Sequence, residues 1–154
     1  MKKWLLIVSI LTLAGCSAPK YTGSAIPNSE VLTSVTIVED IKTRSVFLDS
    51  MNDWCLNNQM KCKVVADHTE HNPEEVTLDY VSRWSWDLKT FVADAKISAY
   101  QGQERIGNVE FKAPNSANLS KFGDDMARIK AMMDILFDKT TPEQATQLIA
   151  EDKM

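Results

Sequence analysis

The stretch TLDYVSRWSWDLKTFVADAKISAYQGQERIGNVEFK, residues 77–112, decides the fold. In its first third, Leu78, Tyr80, Trp84 and Trp86 share one parity, and Asp79, Arg83, Ser85 and Asp87 share the other. Side chains alternate across a strand, so this is the pattern of a strand with one apolar and one polar face, interrupted at Val81-Ser82. Phe91, Ala93, Ala95, Ile97 and Ala99 then alternate with Asp94, Lys96 and Ser98. Gln101-Gly102-Gln103 supplies a turn in which Gly102 is free to take positive φ, and RIGNVEFK, residues 105–112, returns as the partner strand. Three strands joined by short turns predict an antiparallel meander.

Outward from this meander the periodicity changes. SVTIVE, residues 34–39, is β-branched and reads as a strand; KCKVVA, residues 61–66, reads as another. Between them, VFLDSMNDWCLNN, residues 46–58, places Phe47, Met51, Trp54 and Cys55 on one helical stripe. On the other side, residues 119–137 predict a long helix with Phe122, Met126, Ile129, Met133 and Leu136 facing the core and Arg128 facing away. Thr141-Pro142-Glu143-Gln144 carries an N-cap, a proline at the first helical position and a capping box, so a short C-terminal helix follows. The order β-α-β-β-β-β-α predicts an α+β domain: a single mixed, mostly antiparallel sheet with two long helices packed on one face. The small Ala93, Ala95 and Ala99 leave room on that face for the tryptophans or for close helix approach.

The N-terminus carries an address. Lys2 and Lys3 precede an apolar run from Trp4 to Leu13, about half the ~20 residues that a membrane-spanning helix needs. This is the layout of an export signal. Leu13-Ala14-Gly15-Cys16 resembles the bacterial lipobox. Small residues expose the Gly15–Cys16 bond to a signal peptidase. The thiol of Cys16 accepts a diacylglyceryl group, and its freed amine accepts a further acyl chain. Each buried CH₂ adds about 0.8 kcal/mol, so two or more chains form a durable anchor. Ser17, where an aspartate retains lipoproteins in the inner membrane of enteric-type bacteria, directs the expectation to the outer membrane, with the domain in the periplasm. The chain divides into a signal peptide at 1–15, a lipidated cysteine and flexible tether at 16–32, the α+β domain at 33–138, and a short C-terminal helix and tail at 139–154.

Removing residues 1–15 from the 154 leaves 139, enough for one domain. Basic residues fall from 17 to 15 against 21 acids, a net charge near −6. So acidic a chain does not hold a nucleic-acid backbone by charge, and nucleic acid is not an expected partner. The expected partners are the lipid bilayer, through acylated Cys16, and a protein of the cell envelope. In an oxidising compartment the remaining two cysteines, Cys55 and Cys62, are expected to form a disulfide.

The hairpin also carries a resemblance. Trp84, Trp86 and Asp87 form a W-x-W-D step, followed by Tyr100, Gly102 and the Ile106-Gly107 pair. Over roughly residues 33–138 the chain resembles lipoproteins of Gram-negative bacteria, of uncharacterised role, whose domain is similar to the N-terminal domain of TolB. The resemblance implies a fold and a membrane-anchored habit. It implies no activity.

Candidate chemistry is sparse. DHTEHNPEE, residues 67–75, holds the two histidines, His68 and His71. With neighbouring carboxylates they form a candidate metal site, set against the ordinary polarity of a turn. Trp84 and Trp86 are a candidate stacking platform for a small ligand or glycan, set against a place in the core. There is no G-x-S-x-G elbow, no H-E-x-x-H and no phosphate-cradling glycine loop. No cofactor and no catalytic residue is assigned. The expected role is non-enzymatic, by protein contact, which requires an exposed apolar groove or sheet edge.

Overall fold

The computed structural model describes residues 19–114 and 118–151. Six strands form one mixed sheet: β1 (Lys20–Ser24), β2 (Ser34–Val38), β3 (Lys61–Val65), β4 (Val76–Asp87), β5 (Lys89–Gln101) and β6 (Glu104–Lys112). Their spatial order is β1-β6-β5-β4-β2-β3. The meander β4-β5-β6 is antiparallel throughout, and β2 runs parallel to both β3 and β4. Three helices accompany the sheet: α1 (Ser45–Asn57), α2 (Asp125–Leu136) and α3 (Pro142–Ala150). The α+β class and the mixed, mostly antiparallel sheet are as the sequence predicts.

The core lies between the sheet and the helices. Leu78, Ile97, Ala99 and Val109 from the sheet meet Phe47 and Met51 of α1 and Ile129, Met132 and Met133 of α2, all fully buried. Each fully buried aliphatic side chain contributes about 1.5–3 kcal/mol. Tyr80 stacks on Phe47 with 4.9 Å between ring centroids, fixing α1 over β4. Trp54 donates its indole N–H to Asp134 at 2.7 Å and packs on Phe137, fixing α1 against α2. The disulfide Cys55–Cys62 ties the end of α1 to the start of β3.

Three expectations give way. Residues 20–24 are not tether but the edge strand β1, paired with β6 from Lys20↔Lys112 to Ser24↔Asn108. Buried Tyr21 explains why: its ring packs on Phe111, its hydroxyl donates to the Arg128 carbonyl, and its amide donates to Thr146. The long helix over 119–137 is in two pieces, a 3-10 turn at Leu119–Phe122 and α2. Gly123 ends the turn, and the Asp124 carboxylate caps α2 by accepting the amides of Met126 and Ala127. Arg128 therefore turns inward and is fully buried, not solvent-facing. Third, Trp86 is not core: it is 73% exposed, and only Trp84 packs against the core as a half-buried side chain. A bulge at Arg83/Trp84 leaves Ala93 of β5 without a partner on β4, so Val92 rather than Ala93 shares the inner side with Ala95 and Ile97.

Candidate functional site

Two ends of the sheet differ in character. At one end lie the last residues of β6 and the first of β1, with Lys20 opposite Lys112 and Lys112 opposite Asp94. Past that level the β4–β5 hairpin continues alone to a tip at Asp87-Leu88-Lys89. Here Trp86 and Leu88 stand 73% and 85% exposed. The 3-10 turn at Leu119–Phe122 packs beside the tip: Lys121 pairs with Asp87 and lies over the Phe91 and Phe122 rings. Lys121 is itself buried, so this ion pair is largely shielded on the lysine side. Behind it, Arg128 donates to the carbonyls of Ser120 and Lys121, sits over the Phe111 ring, and has Asp125 as its nearby acid. Burial lowers the Arg128 pKa, with Asp125 opposing the shift, and burial raises that of Asp125. The arrangement braces the hairpin; it offers no free nucleophile or base.

At the other end, where β2, β3 and β4 begin and β5 finishes, an open groove of about 860 Å³ runs between the segment 26–36 and the end of α1. Ile26, Val31, Leu32, Leu56 and Met60 line it, with Glu74 and Glu75 on its rim. Val31 and Leu56 are more than two-thirds exposed. Next to it, β3 is an edge strand with one strand partner, β2, among the described residues. Lys61 and Lys63 on that edge guard it against indiscriminate pairing.

The histidine segment has a structural role. Because β3 and β4 both run parallel to β2, the chain must cross back along the sheet between them, and residues 66–75 do so over the face away from the helices. His71 pins this crossing. Its ring stacks on Tyr100 at 4.6 Å, Nδ1 lies 3.2 Å from the Gly102 carbonyl, and Nε2 lies 3.0 Å from Asp79. His68 is exposed, with only Asp67 nearby at 3.6 Å. Both ring nitrogens of His71 are engaged, and no cluster of three or more potential metal ligands occurs among the described residues.

The tryptophans part company. Trp84 donates its indole N–H to Ser82 at 2.8 Å and carries the Arg44 guanidinium 5.0 Å above its ring. Trp86 borders a shallow hollow of about 400 Å³, whose Arg83 and Asp87 are already paired with Asp94 and Lys121. A glycan site needs free polar groups converging beside its aromatic platform. Cys16 lies outside the described residues. Sequence reasoning missed β1, buried Arg128 and the exposed Leu88. A φ of 63° at Leu88 leaves no sequence signature, since glycine or asparagine is the residue expected there.

These features define the class: an α+β domain whose mixed six-stranded sheet carries helices on one face and presents an apolar hairpin tip and an apolar groove at opposite ends. The sequence matches no protein-family model and no curated protein. Among solved structures, a minor lipoprotein from Acinetobacter baumannii superposes with a TM-score of 0.33 at 11% identity, over 80% of this chain and 94% of that one. A likeness at that level establishes neither the fold nor a role. No helix among the described residues is long and apolar enough to cross a membrane.

Proposed function

We propose that this chain is a lipid-anchored lipoprotein of the bacterial outer membrane, with its domain in the periplasm, that works by contact with another envelope protein and not by catalysis. The anchor is Cys16. The observation that carries the reading is the placement of the groove. Chain entry at Lys20 lies at one end of the sheet and the groove lies at the other. An anchor at Cys16 therefore holds the groove and the β3 edge toward the periplasmic space, where a partner can reach them. Val31 and Leu56 stand exposed on the groove, and exposed apolar patches of this kind serve protein contact. The edge of β3 offers a strand-addition site beside them.

Cross-linking in intact cells tests the proposal. Wild type is compared with Cys16→Ala, which cannot be lipidated, and with Leu56→Glu, which charges the groove without disturbing the core. One dominant envelope partner, lost in both variants, is the expected result. Equal capture of the same partner by Leu56→Glu moves the contact away from the groove. No specific partner at normal expression refutes the interaction reading.

A further inference from the structure

We propose that the tip of the β4–β5 hairpin is a second membrane contact, seating Trp86 and Leu88 in the lipid interface beside the acyl chains. The inference rests on the anchor reading of Cys16.

Chain length carries the first part of the argument. Lys20, the first residue of β1, lies four steps along the chain from Cys16. Fully extended, those four steps span at most about 14 Å. From the level of Lys20 and Lys112, matched by Asp94 on β5, the hairpin runs a further six residues to Leu88, roughly 20 Å at strand rise. The projection exceeds the reach of the tether and points to the same end of the sheet. A lipidated Cys16 therefore cannot hold the domain clear of the bilayer without the domain tipping over, and in upright or moderately tilted orientations the tip meets lipid.

The chemistry of the tip carries the second part. A hairpin tip at positive φ favours glycine, asparagine or aspartate, yet this one holds a leucine at φ 63° that is 85% exposed. Backbone preference and solvation both oppose that choice, and an apolar surround removes the second objection. Trp86 stands beside it, an amphipathic ring of the type that settles at the level of lipid headgroups. Leu119, 76% exposed, lies on the turn packed against the same hairpin.

The test uses the full chain, processed in a Gram-negative host and reconstituted into vesicles of phosphatidylethanolamine and phosphatidylglycerol brominated near the top of the acyl chains. Bromine quenches only tryptophan that enters the bilayer, and buried Trp54 serves as the internal reference. The expected result is loss of the Trp86 share of emission in wild type, no loss in Trp86→Phe, and a much smaller loss in Leu88→Asp. Unquenched emission from protein that floats with the vesicles overturns the tip contact while leaving the anchor intact. Quenching that persists in Trp86→Phe also overturns it. Protein that fails to float refutes the anchor and the tip contact together, and flotation tells that case from the others.

Discussion

Replacing Gly23 by alanine should cost about 3 kcal/mol, and the reasoning is local to one strand. Gly23 faces Val109 across the β1–β6 pair with φ at +147°, a conformation that side chains rarely adopt. An added Cβ would lie 2.1 Å from the Asn108 carbonyl oxygen and 2.8 Å from the Val109 Cα. Both are backbone atoms, so no rotamer change relieves the contact. Keeping β1 in place means backbone strain of about 1–3 kcal/mol with the clash in addition. Releasing β1 exposes Tyr21, and losing a buried aromatic costs about 3–5 kcal/mol. Freed backbone entropy of about 1–2 kcal/mol per residue offsets part of that. Urea unfolding of the chain from Ser17 onward measures the loss, and hydrogen exchange reports whether β1 has left β6. Stability within about 0.5 kcal/mol of wild type, with β6 amides still protected, would refute the edge-strand account.

Changing Cys55 and Cys62 together to alanine opens a loop with a sequence separation of 7 and should lower unfolding stability by about 2.5 kcal/mol on the chain-entropy relation. Arg128→Ala leaves the Ser120 and Lys121 carbonyls without this donor and takes the nearby cation from Asp125, so chemical denaturation should read a loss of about 3 kcal/mol. Tyr21 has its pKa raised, chiefly by burial and partly opposed by Arg128. A raised folded pKa means that the stability is intact below the unfolded value of about 10 and falls as pH climbs above it. Unfolding curves across alkaline pH should therefore show a shallower decline for Tyr21→Phe. His71→Ala should speed hydrogen exchange across residues 66–75 and cost about 1 kcal/mol, with no change in metal content by elemental analysis.

Strong periodicity made the meander legible, because its partners are near in sequence and its turns are short. The helix over 46–58 was equally plain, since Phe47, Met51, Trp54 and Cys55 make one uninterrupted stripe. What escaped depends on contacts between distant residues. β1 looks like a linker because only Tyr21 of its five residues is buried, and its pairing with β6 spans most of the chain. Arg128 reads as surface because a charge on a helix usually is; carbonyls from the preceding turn hold it inside. Trp86 matches Trp84 in parity, yet it projects past the helices that bury its neighbour. Of the candidate sites, the disulfide pair was readable from the number of cysteines and the expected compartment. The groove was not, since no single stretch of sequence contains it.

The intact mass of the protein extracted from isolated membranes tests the anchor most directly. A chain beginning at Cys16 and carrying a diacylglyceryl group with an added acyl chain is the predicted result. A chain that retains residues 1–15, or begins at another residue with Cys16 unmodified, would contradict it.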